Sequence, residues 1–443
     1  MVQDLAPVYE GPGEEYALVW RLYEGSQVAV GGEMAAADGQ TWRQVKLWNS
    51  QHGWLAAEAL SFEPYPPPPT PRLGGGDDGG GGESGVCRPQ AERAPPAPQE
   101  LVASGKVLAA TALTAAPDDD TRLGELMPGV AVSALGWGTD PDGAVRYRVL
   151  AGGTVGWAAP GAVALAAADP LTRRVGGRPI VEPLRGKGMW YVLDSQQHGT
   201  TPAARVAAAA RANGLSHLYV EVATSRGGFW GARWLDELLP AARAAGLRVI
   251  GSVYVCLDDL PADLGLSLAV ARYRTPDGLA LDGLTADVEE TLVASNVAAY
   301  GELLRHALGD DYLLVATVYP PESWFAPRYP WPALARSWNA VAPMAYWRQQ
   351  ERRAFTAPEA YAYTRRNLDK LRELVGRPDL PVEMLGQMFD LGYPRLLGPD
   401  SPTAEEIEAA IRAARDGGAV GISFFDWTRA TPAQWAALGA SDW

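Results

Sequence analysis

From residue 186 onward, apolar strand-like runs alternate with Ala/Leu/Arg-rich helical segments, and this alternation restricts the fold more than any other feature. The runs are 188–194 (GMWYVLD), 217–223 (HLYVEVA), 248–255 (RVIGSVYV), 283–289 (GLTADVE), 311–319 (DYLLVATVY), 339–347 (NAVAPMAYW), 380–389 (LPVEMLGQMF) and 418–427 (GAVGISFFDW). A helical segment separates each from the next, with a looser stretch between the fifth and sixth. Gly214, Gly246 and Gly309 stand where helix C-caps are expected. Strands joined by crossover helices pair in parallel, and eight such units predict an α/β (β/α)8 TIM barrel. An open doubly wound sheet competes, but no Gly-rich phosphate loop follows the first run.

Residues 63–104 cannot build a core. They run from PYPPPPTP through GGGDDGGGG to APPAPQ, extended and semi-stiff where Pro-rich and flexible where Gly-rich. On either side lie short alternating runs bounded by Gly and Asp turns, the pattern of small all-β barrels. The two sides form an internal repeat. Asp38-Gly39 matches Asp142-Gly143, Trp42 matches Tyr147, and Gly53-Trp54 matches Gly156-Trp157. The chain is therefore expected to be multidomain: small β-domains at 1–62 and 105–168, a linker at 63–104, a connector at 169–185 and the barrel at 186–443.

Both small domains resemble bacterial SH3-like domains. The first carries Gly11-Pro12-Gly13, Gly25 to Val28 and Gly53-Trp54-Leu55; the second keeps Gly129 to Val132 and Gly156-Trp157, with Ala116-Pro117-Asp118 replacing the first motif. The resemblance implies binding of cell-wall peptide or glycan. The alternative is a spacer without a ligand.

Charge narrows the partners. The 443 residues carry 38 basic and 52 acidic side chains, a net charge of −14. That argues against a nucleic-acid surface and a polybasic membrane patch, and fits a cationic or uncharged partner. No apolar run of about 20 residues is present, so no membrane span is expected. The first residues show neither a basic n-region nor an apolar h-region, so no signal peptide is visible; a removed leader is compatible with the extracellular or wall-associated location expected here. Two cysteines, Cys87 and Cys256, make no disulfide framework and read as unrelated thiols. A monomer without cofactor or metal is expected, since no His- or Cys-rich cluster suits zinc. A Ser/His/Asp site lacks its Gly-x-Ser-x-Gly elbow.

Barrels place their sites at the C-terminal strand ends. Those ends carry Asp194 with Ser195-Gln196-Gln197, Glu221, Tyr254 with Asp258-Asp259, Asp287 with Glu289, the segment TVYPPESWF, Tyr346-Trp347, Gln387 with Asp390, and Asp426-Trp427. His198 falls near the same rim. Acids that move protons at a glycosidic oxygen, beside flat rings that cover sugar faces, form a site for carbohydrate. In the fourth strand, residues two apart share a face. Ala286 and Val288 suit the face packed on helices, so Thr285, Asp287 and Glu289 point inward. Two buried acids repel each other, which keeps one protonated near neutral pH and makes a general acid. Glu290 is expected on the outer side at a helix entry, and Asp282 in a turn before Gly283.

The fourth strand resembles that of family 18 glycoside hydrolases, the chitinase-like barrels, which reads Asp-Gly-x-Asp-x-Asp-x-Glu. Asp282 to Glu289 match it except at Thr285, and Met344-Ala345-Tyr346 matches the sixth-strand Met-x-Tyr. Trp427 stands near the end of the eighth strand as theirs does, while the third strand lacks their Ser-x-Gly-Gly. The resemblance implies that Glu289 is the general acid. Asp287 would position a substrate acetamido group that acts as nucleophile, and Tyr346 would hydrogen-bond that group. A second resemblance, to family 25 lysozymes, rests on Asp194, on AARAAGLRVIGSVY, on Asp287-Val288-Glu289 and on Asp426. It implies peptidoglycan as substrate. Both choose Glu289 and Asp287, with Asp194, Glu221, Tyr254, Gln387, Asp426 and Trp427 as candidate substrate-binding residues. A non-catalytic wall-binding adaptor using the same groove is the alternative from another class.

Overall fold

The computed structural model describes the chain apart from residues 1–5, 10, 14–15, 17, 23–28, 36–39, 47–51, 61–98, 141, 166–170, 193–201, 292, 324–325, 352 and 390–400. Its C-terminal part is a nearly closed barrel of eight parallel strands. These are β1 (Gly186–Val192), β2 (His217–Thr224), β3 (Arg248–Val255), β4 (Gly283–Val288), β5 (Leu314–Val318), β6 (Ala340–Pro343), β7 (Glu383–Gln387) and β8 (Gly421–Phe425). The spatial order is β6-β5-β4-β3-β2-β1-β8-β7. Isolated parallel bridges, Val341 to Val382 and Met344 to Leu385, join the two edges. A barrel, rather than an open sheet, is what the sequence pattern predicts.

Both faces of these strands are covered, which explains their nearly continuous apolar runs. Inside, Trp190, Tyr219, Ile250, Val315, Ala342 and Leu385 form one cluster. Trp190 stacks on Tyr219 with ring centroids 4.7 Å apart, and its Nε1 donates to Ser423 Oγ at 3.0 Å. Outside, Met189, Leu218, Val249, Leu284, Ala286 and Val288 pack against the helices. These are α1 (Ala203–Ala212), α2 (Ala232–Ala244), α3 (Leu260–Ala271), α4 (Ala294–Leu308), the short α5 (Trp347–Glu351), α6 (Ala357–Val375), α7 (Ala404–Asp416) and α8 (Pro432–Ala440). The looser stretch between β5 and β6 contains two 3₁₀ turns, Ala326–Arg328 and Trp331–Ala335. No described helix is long and apolar enough to cross a membrane.

The N-terminal half contains two antiparallel sheets. The first has five strands, Ala6–Tyr9, Leu18–Leu22, Ala29–Ala35, Thr41–Lys46 and His52–Ala56, ordered second-first-fifth-fourth-third. In the second, the strands Thr111–Ala116, Asp119–Leu126, Ala131–Thr139, Val145–Ala151 and Thr154–Ala158 repeat that order, and Gln99–Val107 and Val163–Leu165 extend the far edge. Val45 faces Gly53 as Val149 faces Gly156. A Cβ on Gly53 would meet Val8 Cγ1 at 2.2 Å, and one on Gly156 would meet Leu113 Cγ at 2.6 Å, so both glycines admit the first strand of their sheet. The same register sets Arg43, not Trp42, at the place of Tyr147, which corrects that match. Alternation breaks in the first sheet because Trp42 and Val45, three residues apart, are both buried.

Three further expectations change. The strand Gln99–Val107 begins inside the segment read as linker. Within 169–185 lie a two-stranded ribbon, Arg174–Val175 with Arg178–Pro179, and a 3₁₀ turn whose Leu184 is buried. Cys256 is disulfide-bonded rather than a free thiol; the other cysteine, Cys87, lies outside the described residues.

The second sheet docks on α4. Asn296 Oδ1 accepts the Val145 N–H at 3.0 Å, and its Nδ2 donates to the carbonyls of Gly143 at 3.0 Å and Leu257 at 3.1 Å. Tyr147 donates to Glu302 Oε2 at 2.8 Å, and Arg336 reaches the Gly161 carbonyl.

Candidate active site

Strand β4 carries the central acids to the C-terminal mouth of the barrel. Its register against β3 pairs Ser252 with Thr285 and Tyr254 with Asp287. Thr285 and Asp287 face inward, while Ala286 and Val288 join the outer cluster. Thr285 is fully buried and its hydroxyl meets that of Thr317, on β5, at 2.8 Å. A hydroxyl pair thus occupies the place an acid would take. Asp287 is 8% exposed. Glu289 lies one residue beyond the strand and is half-buried.

Electrostatics sets the two acids apart. Burial, then the charge of Glu289 and a hydrogen bond to it, then the charges of Glu221 and Glu290, raise the Asp287 carboxyl well above the usual range. This direction favours the protonated form of Asp287, which can give its proton to the hydrogen bond shared with Glu289. Burial pushes Glu289 up to about 7; the Asp287 hydrogen bond opposes this and the charge of Glu290 adds to it. Glu289 is therefore an acid that exchanges its proton near neutrality, the property of a general acid. Asp287 Oδ1 is buried and has no hydrogen-bond partner.

Tyrosines surround the pair. Tyr346 is buried, and burial followed by the charges of Asp287 and Glu289 raises its hydroxyl. Its ring meets Phe389 edge-on at 5.1 Å and Phe425 at 6.0 Å. Tyr254 donates to Glu290 Oε1 at 2.6 Å, and burial followed by the charge of Glu289 raises it too. Tyr319 follows β5 on the face of Val315 and Thr317, and feels Glu289, Glu290 and Asp287 after burial. Tyr329 donates to the Val288 carbonyl at 2.7 Å, fixing the end of β4.

Sequence reasoning misplaced or missed several of these. Glu290 is not outside: the strand ends at Val288, the alternation lapses, and Glu290 turns into the mouth to meet Tyr254. Tyr319 was legible from the alternation of Val315 and Thr317. Arg429 was not, because it lies in the turn after β8. Its guanidinium covers Phe389 at 4.7 Å and Phe425 at 5.2 Å, and its charge acts on Tyr346.

Other candidates are placed elsewhere. Gln387 is fully buried; its Oε1 accepts the N–H groups of Arg348 and Gln349, and its Nε2 donates to the Phe389 carbonyl, so it braces the loops after β6 and β7. Asp426 is 1% exposed, accepts the Thr428 N–H at 2.8 Å and hydroxyl at 2.6 Å, and pairs with Arg429 at 2.5 Å. Trp427 does not line a groove with Tyr346. It packs in the outer layer against Tyr191 at 5.8 Å and Trp435 at 4.7 Å, since the turn after β8 points it toward α8. Glu221 is half-buried on β2 and bears on Asp287. Asp258 pairs with Arg226, and Asp259 caps α3. Asp282 holds Arg243, Arg248 and the Val249 N–H at the opposite end of the barrel. Asp194, Ser195, Gln196, Gln197, His198 and Asp390 lie outside the described residues.

No protein-family model matches the chain, and no curated protein does. Among solved structures it is similar to the spore cortex-lytic enzyme SleL of Bacillus cereus, at 12% identity and a TM-score of 0.44, over 57% of this chain and 73% of that one. It is also similar to the chitinase-like agglutinin RobpsCRA of Robinia pseudoacacia, at 14% identity and 0.43, over 57% of this chain and 98% of that one. A chitinase from Bacteroides thetaiotaomicron matches at 12% identity and 0.44, over 58% and 96%.

Proposed function

We propose that the barrel is a glycoside hydrolase acting on an N-acetylated cell-wall glycan, of peptidoglycan or chitin type. The observation that carries this reading is the hydrogen-bonded Asp287–Glu289 pair at the barrel mouth, with the Asp287 carboxyl raised well above its ordinary range and Glu289 pushed up to about 7. Glu289 gives its proton to the glycosidic oxygen as the C1–O bond breaks. The acetamido oxygen of the same sugar attacks C1, and Asp287 accepts a hydrogen bond from the acetamido N–H at its unpartnered Oδ1. Water then attacks C1 as the bond from C1 to the acetamido oxygen breaks, restoring the acetamido group and giving a proton back to Glu289. Tyr346 donates to the acetamido group.

Glu221 and Tyr254 line the glycan path, and Asp194 serves substrate binding with them. Gln387, Asp426 and Trp427 serve substrate binding by holding the loops that carry Phe389, Phe425 and Arg429. The two N-terminal sheets are SH3-like domains that bring a monomeric, extracellular enzyme to the wall. The test is hydrolysis of peptidoglycan and of chitooligosaccharides by the wild type and by Glu289→Gln. Wild-type turnover lost in the variant supports the reading. Glycan binding without wild-type turnover would establish the adaptor alternative instead, and equal cleavage by both proteins would give the acid's role to another residue.

A further inference from the structure

Helix α5 (Trp347–Glu351) follows Tyr346 directly and has five residues. A helix so short has too few backbone hydrogen bonds to hold its own place. Side chains must fix it, and with it the backbone of Tyr346. Gln387 takes the N–H groups of Arg348 and Gln349. The other anchor is Glu406, on α7 (Ala404–Asp416). Its Oε2 accepts from Trp347 Nε1 at 2.7 Å and from Arg348 Nε at 3.0 Å, and its Oε1 accepts from Arg348 Nη2. The contact between Arg348 and the carboxylate is therefore bidentate, which fixes orientation as well as distance. Glu406 and Trp347 are fully buried, and Arg348 is 1% exposed.

The helix cap does not explain a carboxylate at this place. Glu406 closes the capping box of α7 with Thr403, but a glutamine serves a capping box as well. In α8 one does: Thr431 closes the same box with Gln434. What glutamine lacks is the second carboxylate oxygen and the charge, and Arg348 uses both. Without that partner a buried guanidinium is left uncompensated and is drawn toward water. Arg348 stands two residues after Tyr346, so such a displacement reaches the tyrosine, whose ring is held by packing on Phe389 and Phe425.

We infer that Glu406 is a positioning residue for Tyr346: by holding Trp347 and Arg348 it sets where the Tyr346 hydroxyl meets the acetamido group of the substrate. This rests on the glycosidase reading above. Glu406 acts through α5 and not on the glycan itself.

The experiment is a double-mutant cycle. Glu406→Gln and Arg348→Met are each made in the wild type and in Tyr346→Phe, with thermal melts to confirm folding. KM and kcat are measured on an N-acetylated chitooligosaccharide. Each variant is expected to raise KM about three- to tenfold, the worth of one hydrogen bond, with kcat little changed. In the Tyr346→Phe background both effects should fall below about twofold. A lower kcat at unchanged KM, the mark of a smaller folded fraction, would overturn the inference. So would effects that multiply with that of Tyr346→Phe, or a failure of both variants to fold. The same cycle is read in affinity by calorimetry on Glu289→Gln. Coupling there, with no wild-type turnover, keeps Glu406 as a positioning residue and overturns the glycosidase reading. Wild-type turnover without coupling overturns this inference alone, and binding of no glycan overturns both.

Discussion

At the scale of single residues, Glu289 and Asp287 differ in what their surroundings do to a proton. Glu289→Gln should lower kcat on a natural glycosidic bond by about 10²–10⁴, the usual worth of a general acid. An aryl glycoside, whose leaving group needs no proton, should lose far less, and comparing the two substrates checks the role. Thr285 tests the departure from the chitinase-like strand. Thr285→Asp would place another acid, fully buried, beside Asp287 and remove the hydroxyl contact with Thr317. An unpaired buried acid destabilises strongly, so its thermal midpoint should fall well below that of Thr285→Val. A Thr285→Asp protein as stable as the wild type would show that the site has room for the missing carboxylate.

At the scale of elements, the inward face of β4 was legible because strand alternation is a strict period of two and Ala286 and Val288 suit only a helix-packed face. The same rule failed two residues past the strand. Glu290 was read outward by extending the alternation, but the backbone bends after Val288 and no longer obeys it. Trp427 was misread for the same reason, lying in a turn after β8. Trp427 is half-buried, so Trp427→Ala should lower stability by less than the about 3–5 kcal/mol of a fully buried tryptophan. Its effect on KM should be small beside that of Tyr346→Phe. A large KM effect with unchanged stability would return Trp427 to the groove.

At the scale of the whole molecule, eight strand-like runs were enough to predict the barrel. The docking of the second sheet was not legible, because Tyr147, Asn296 and Glu302 meet only in three dimensions. Glu302 is buried there, and burial pushes it up to about 7 although Tyr147 and Arg336 act against the shift. Its folded value exceeds its ordinary value of 4.5, so its contribution to stability is full below that ordinary value and is lost as pH rises through about 7. Thermal melts between these limits should therefore show the wild type losing stability relative to Glu302→Gln as pH increases. A constant difference would mean that Glu302 does not change protonation in the folded protein. Glu289 has the same sign, and the difference between the two proteins removes its contribution.

The pH dependence of kcat/KM on an N-acetylated chitooligosaccharide tests the central assignment most directly. With Glu289 as the acid, the rate should fall as pH rises through about 7, and Glu289→Gln should lose both the activity and that limb. A wild-type rate that stays level through neutral pH and falls only in strong alkali, or a limb that persists in Glu289→Gln, would contradict it.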